Sequence, residues 1–458
     1  MSTTALLALL VVLLVFGALL ALRLHIGLAL VAAGFTGVVL LRSTDAAVST
    51  VSNQPYSSAA DYSLTIVPLF ILMGVLAVRA GLAQPGFDLA SRMLRRLPGG
   101  PALASLAGSG MFAAVTGSSV ATVATMARVS TQAIVRAGLS VRLAAGVVCA
   151  GGTLGVLIPP SIVLVLYGVV TEESIGHLLL AGIGPGLLTI LAYAVTVVLV
   201  VVWSRRSGRA TTDDETALLG DDAQDDASGD GLRVRPGQLD PVGFAYLVVI
   251  FAVSIGTIYL GIATPTEAAS FGALTALVVL LLRVRPPRWL RALRDALGEA
   301  VGLTAMTFLL ITGAGVFTYF LALSGASSAL VGTVVGAELS PYLVLVLCLL
   351  LLLPLGMFLD GISMILIAAP LLHPILTEYG FDGIWIGVLV VKVAEMALIT
   401  PPVGMNAFVY SGAVPRAGLG RVFRGIVPFI VADLVVVAVL IAVPGIVTWL
   451  PYLSSAQG

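Results

Sequence analysis

Two apolar stretches in the second half of this chain are interrupted where a membrane helix would otherwise run on. One reads Leu355-Gly-Met-Phe-Leu-Asp-Gly-Ile-Ser363 and the other Ile399-Thr-Pro-Pro-Val-Gly-Met-Asn406. Irregular backbone at membrane depth persists only where protein or a water-filled cavity satisfies its amides and carbonyls. A helix that stops there exposes a terminus, and transporters hold ions and substrates at such termini. Asp360 adds a carboxylate, which is costly at that depth and marks a functional-site candidate.

The same arrangement occurs earlier, as Ala114-Val-Thr-Gly-Ser-Ser119 followed by Gly151-Gly-Thr-Leu-Gly-Val-Leu-Ile-Pro-Pro-Ser161. A shift of 242 residues places Pro401-Pro402 on Pro159-Pro160, Asp360 on Ser118, Gly380-Phe381 on Gly138-Leu139, and Glu267 on His25. Glycine and proline are common in membrane helices, so one break alone says little. Four breaks in two matching pairs are the sequence signature of a transporter binding site.

With 59% hydrophobic and 10% charged residues and a mean hydropathy of +1.11, the chain is a polytopic membrane protein. Its formal net charge of zero gives no reason to expect a nucleic-acid partner. Cys149 and Cys348 lie in apolar segments and read as buried small hydrophobes. The three histidines form no cluster with cysteine or aspartate, so no catalytic or metal-ligating constellation is visible and no enzyme is expected.

Apolar runs predict spans near 4–22, 25–42, 63–80, 140–170, 178–203, 241–262, 266–283, 300–323, 383–412 and 423–449. The stretches 101–128 and 341–378, each broken in its middle, read as re-entrant hairpins, the first inner and the second outer. With the N-terminus outside, this topology puts 21 of the 22 arginines on the cytoplasmic side and only Arg42 outside. The two halves then have opposite orientation. The chain divides into a first inverted repeat (1–203), an acidic linker (204–240) and a second repeat (241–450). The linker carries Asp213, Asp214, Glu215, Asp221, Asp222, Asp225, Asp226 and Asp230, and is expected to be a disordered cytoplasmic tether. Segments 83–97 and 286–298 carry arginines at helical spacing and read as amphipathic helices at equivalent points of the repeats.

The breaks supply what a hard cation such as sodium needs. Unwound turns offer backbone carbonyls, and proline pairs free carbonyls by interrupting the helical ladder. Hydroxyls of Thr116, Ser118, Ser161, Ser363 and Thr400 can add ligands, and Asp360 supplies a formal countercharge. The helix N-termini at the same breaks suit an anionic substrate. Lys392 and Glu395 stand three apart on one helix face, fit either to pair with each other or to line the substrate path. His25 and His177 fall at span ends, His373 reads as a hairpin cap, Glu267 as a helix N-terminal charge, and Asp433 has no evident partner.

Gly117-Ser-Ser119, Gly155-Val-Leu-Ile-Pro-Pro-Ser161, Pro265-Thr-Glu-Ala268, Gly356-Met-Phe-Leu-Asp-Gly361 and Thr400-Pro-Pro-Val-Gly-Met-Asn406 together resemble the large membrane subunit of TRAP transporters (tripartite ATP-independent periplasmic transporters, DctM type). The likeness spans nearly the whole chain apart from the acidic linker. It implies an all-α, inverted-repeat secondary transporter of elevator type in the inner membrane, and the arginine distribution puts both termini in the periplasm. It further implies sodium-driven import of an organic acid such as a C4-dicarboxylate or sialic acid, with sodium as coupling ion and no other cofactor. The implied partners are a small four-helix membrane subunit of DctQ type, expected as a separate chain, and a periplasmic solute-binding protein of DctP type. By position, one sodium site falls on Thr116 and Ser118 with Gly155, Ile158 and Pro160, the other on Asp360 with Thr400, Pro402 and Met405. Ser119, Ser161, Ser363, Asn406 and Lys392 are then candidates for the substrate path. The competing readings are a stand-alone sodium- or proton-coupled carboxylate carrier and a membrane-embedded enzyme. No nucleotide-binding motif supports drive by ATP.

Overall fold

In hydrocarbon a helix satisfies its own backbone while an isolated strand cannot, so apolar runs of this length become helices. The computed structural model describes residues 3–94, 96–206, 240–356 and 358–455, and among the described residues the regular structure is entirely helical. The linker expected at 204–240 lies almost wholly outside the described residues. Among the described residues, eight helices are long and apolar enough to cross a membrane, or nine counting a pair bent by 43°.

The first half runs α1 (Thr3–Ala21), α2 (Ile26–Leu41), α3 (Thr44–Ala60), α4 (Ile66–Arg79), α5 (Ala83–Leu94), α6 (Gly100–Thr116), α7 (Ser119–Arg136), α8 (Val141–Leu157), α9 (Ile162–Thr171), α10 (Ile175–Ala181) and α11 (Ile183–Arg206). The second runs α12 (Pro241–Tyr259), α13 (Pro265–Arg283), α14 (Trp289–Ser324), α15 (Ala326–Gly336), α16 (Pro341–Leu355), α17 (Gly361–Glu378), α18 (Gly383–Ala397), α19 (Met405–Ala413), α20 (Leu419–Ala442) and α21 (Gly445–Ser455). Both ends of α7 and α17 are 242 residues apart, as are the starts of α8 and α18. The caps keep the same register. Ser118 and Asp360 cap α7 and α17, while Ser140 and Asp382 cap α8 and α18. Each offers a side-chain oxygen to an otherwise unpaired amide of the first turn.

Both hairpins turn back on themselves. Ser105 Oγ on α6 donates to Ser130 Oγ on α7 at 2.8 Å, at equal distances along the chain from the tip. At the base of the second, the rings of Tyr342 and Phe381 meet edge-on at 5.5 Å. The helices then sort into two groups. Helices α1 to α4 pack with α12, α13 and α14, while the hairpins pack with α8, α9, α18, α19 and α11, and α20 packs on α8 and α11. Small residues set the closest crossings, as expected where lipid supplies no hydrophobic drive between helices. A Cβ on Gly34 of α2 would lie 2.9 Å from Val316 Cγ1 of α14.

Several elements differ from the sequence expectation. The segment after Arg42, left between two expected spans, forms α3, capped by Ser43 through the Ala46 amide at 3.2 Å. Its serines and threonines hid it from a search for apolar runs. Segment 286–298 is not a separate amphipathic helix. After one 3-10 turn at Pro286–Arg288, the chain enters the 36-residue α14 without a break. No proline or competing cap interrupts 289–324, and Gly298 and Gly302 are tolerated inside it. At about 1.5 Å per residue, α14 exceeds the roughly 30 Å hydrocarbon core, so its arginine-bearing start extends beyond it. By register, that start matches α3, and α5 matches α15, an element the hydropathy reading had omitted. The expected pairing of 83–97 with 286–298 is thereby corrected. The first hairpin also extends past 128 to Arg136, and the run expected at 423–449 stops at Ala442 and resumes at Gly445, with Pro444 between them.

Candidate functional site

The first hairpin tip forms because Gly117 adopts a left-handed conformation (φ +60°), ending α6, and Ser118 then starts α7 by accepting from the Ala121 amide at 3.3 Å. Glycine takes that conformation without a Cβ penalty. The adjacent span breaks after Leu157, passes through Ile158 and a cis Pro159-Pro160 bond, and restarts where Ser161 accepts from the Leu164 amide at 3.2 Å. Tip and break meet. A Cβ on Gly117 would lie 3.4 Å from the Pro160 carbonyl oxygen, and one on Gly155 would overlap Ala113 of α6. Ile158 packs over Gly110 and Gly186, while the Thr116 and Thr122 hydroxyls lie 3.1 Å apart.

The second tip and break repeat this with different chemistry. Asp360 Oδ1 accepts from the Ser363 amide at 3.3 Å and also from the Ser363 hydroxyl, so carboxylate and hydroxyl are already engaged with each other. Thr400 turns its hydroxyl back to the Met396 carbonyl at 2.7 Å. A second cis bond joins Pro401 to Pro402, the latter exposed, and Gly404 at φ +56° leads into Met405 and α19. Asn406 returns its amide to the Leu398 carbonyl at 3.1 Å. Gly356 packs so closely that a Cβ there would overlap Ala397 of α18.

The two sets interlock. Helix α7 packs on α19 and α17 on α9, so each hairpin touches the broken span of the other half. Thr131 Oγ1 and Tyr410 Oη lie 3.1 Å apart across one contact. Asn406 Nδ2 donates to the Cys149 carbonyl at 3.4 Å, and Asn406 Oδ1 is buried without a hydrogen-bond partner among the described residues. Thus Thr116, Ser118, Gly155, Ile158 and Pro160 gather at one tip. Asp360 and Ser363 gather at the other, beside the turn that holds Thr400, Pro402 and Met405.

Lys392 does not pair with Glu395 as one sequence reading had it. It is 1% exposed and pairs with Asp433, not with Glu395. Asp433, which had no evident partner in the sequence, also receives the Tyr193 hydroxyl, itself 3.2 Å from Thr153 Oγ1. Glu395 is buried and accepts from the Ser119 hydroxyl through Oε2. A buried charge is tolerated when it is paired and hydrogen-bonded, and these partners come from four separate helices. Spacing along the chain cannot reveal them, although a buried acid in an apolar helix was itself a signal. His373 caps nothing. It lies inside α17 and meets Glu173 at 3.1 Å.

The sequence matches the family described as "Tripartite ATP-independent periplasmic transporter, DctM component" over residues 12–446. It is 33% identical to the C4-dicarboxylate TRAP transporter large permease protein DctM of Pseudomonas aeruginosa, covering 90% of this chain and 91% of that one. It is 28% identical to the sialic acid TRAP transporter large permease protein SiaM of Vibrio cholerae, covering 94% and 96%. The isethionate TRAP transporter permease protein DctMQ of Oleidesulfovibrio alaskensis is 31% identical over 85% of this chain, which spans 58% of that longer relative. Among solved structures, the Alcanivorax borkumensis YdaH transporter superposes with a TM-score of 0.62 over 90% of both chains at 15% identity, a likeness of fold. The family match and the DctM relative together place this chain in the DctM, or large permease, component family of the tripartite ATP-independent periplasmic transporters.

Proposed function

We propose that this permease imports an organic acid across the inner membrane, coupled to sodium, by an elevator movement of the hairpin-bearing helices against the others. The observation that carries the reading is the meeting of two tips with two broken spans in one group of helices. Such a cluster presents hydroxyls, unwound carbonyls and the Asp360 carboxylate to a hard cation, and helix N-termini to an anion. The first sodium site takes Thr116 and Ser118 with Gly155, Ile158 and Pro160. The second takes Asp360 with Thr400, Pro402 and Met405. Relatives named for C4-dicarboxylate, sialic acid and isethionate support an acid as cargo. The relative named DctMQ supports a small membrane subunit as partner, and the family description supports a periplasmic solute-binding protein. In this arrangement both termini face the periplasm and the linker faces the cytoplasm.

The test is thermal unfolding of the purified permease, titrated with sodium against potassium at constant ionic strength. An ion that binds only the folded state raises its stability by about 2.7 kcal/mol at 100 times its dissociation constant. A sodium-specific rise, weakened by Asp360→Asn, is the expected result. Identical curves in the two salts would defeat sodium coupling and favour a proton-coupled carrier.

A further inference from the structure

We propose that the Glu395 carboxylate is a positioning residue that ties the two hairpin tips to each other. Its two oxygens face different hairpins. Oε2 accepts from the hydroxyl of Ser119, the first residue of α7. Oε1 lies against Gly361, the first residue of α17, where a Cβ would come within 2.9 Å of it. Ser119 and Gly361 stand 242 residues apart, the same position in the two halves. One side chain therefore touches both tips at their matching point. Each contact is at a helix N-terminus, where the helix dipole favours negative charge.

The arrangement is asymmetric. The counterpart of Glu395 is Thr153, which instead reaches the Tyr193 hydroxyl at 3.2 Å. Tyr193 holds Asp433, and Asp433 holds Lys392, one turn before Glu395 on α18. Lys392 pairs with Asp433, and the side-chain hydrogen bond of Glu395 goes instead to the first tip. The bound pair also fixes the rotation of α18 that aims Glu395 at the tips. Moving either hairpin then strips a buried carboxylate of one of its contacts. The state of one tip is felt at the other without a bound ion as intermediary, so this inference goes beyond sodium coupling and does not depend on it.

Hydrogen exchange of the full chain, read by mass spectrometry at 117–124 and at 359–366 in sodium-free buffer, tests the bridge. Ser119→Ala removes the first contact, and Gly361→Ala drives a methyl into the space of Oε1. Each is expected to speed exchange at the opposite tip by about fivefold, the loss of one modest hydrogen bond. Ser119→Thr, which keeps the hydroxyl, is expected to restore the slow exchange. In a Glu395→Gln background neither variant should transmit anything further to the opposite tip. Should each variant disturb only its own hairpin, or transmit equally well in that background, the bridge does not exist. A purely structural weakening would speed exchange throughout both groups of helices, and that outcome also overturns the proposal.

Discussion

The Tyr193 hydroxyl lies 2.7 Å from Oδ1 and 2.8 Å from Oδ2 of Asp433, midway across α11 and α20 and entirely out of water. With Lys392 pressed on the same carboxylate, one acid ties three helices together in the apolar interior. The ring of Tyr193 also stacks edge-on against Phe429 at 5.5 Å, so the hydroxyl is held by packing as well.

Breaking this group from one side should be severe. Lys392→Met leaves Asp433 buried without its cation, with an expected loss of about 3–5 kcal/mol. Pairing it with Asp433→Leu removes both charges and should recover most of that loss. Tyr193→Phe should cost about 1–3 kcal/mol, since it removes one donor to a charged acceptor. Thermal unfolding of the four proteins in one detergent checks the order. A double variant as weak as Lys392→Met alone would show that the pair is not the source of the effect.

Helices α8 and α20 approach most closely through glycine on both sides. A Cβ on Gly146 would overlap the Gly425 carbonyl, and one on Gly425 would overlap the Arg142 carbonyl. Side-chain repacking cannot relieve a clash with backbone, so Gly425→Ala must separate the helices. An expected cost of roughly 1–3 kcal/mol follows from overpacking. Gly412→Ala, in a position with nothing within 4 Å, is the control and should leave the melting temperature unchanged.

At the entry to α12, Asp240 caps the helix through the Gly243 amide at 2.7 Å and pairs with Arg283 at 2.6 Å. Partial burial works against the Asp240 carboxylate, but the Gly243 amide and the Arg283 guanidinium outweigh it and hold the group below the ordinary aspartate range. A depressed carboxylate stabilises the fold above its unfolded value of about 3.9, and this contribution fades as pH falls through the lower folded value. Asp240→Asn should therefore be weaker than the parent at neutral pH, by roughly 1 kcal/mol for a pair that still reaches solvent. The difference should close as pH falls through that lowered folded value. A gap independent of pH would assign it to the cap geometry alone.

Hydropathy and punctuation marked the spans, the two hairpins and the two breaks, because apolar length and Gly/Pro interruptions act locally on the backbone. The match of Ser118 with Asp360 was readable for the same reason, since capping depends on the residue and the next few amides. Helix α3 was missed because its polar residues carry no apolar period. The join at 288–289 was missed because arginine spacing looks the same in a surface helix and in the protruding end of a long one. Glu395, Asp433 and Tyr193 belong to a different category. Their partners lie 41, 240 and 276 residues away, on helices whose contacts no local rule specifies. The sequence by itself determined where the backbone must break. Only the tertiary structure decided which buried charged and polar groups face each other between helices, because desolvated groups take the partners that packing brings within reach.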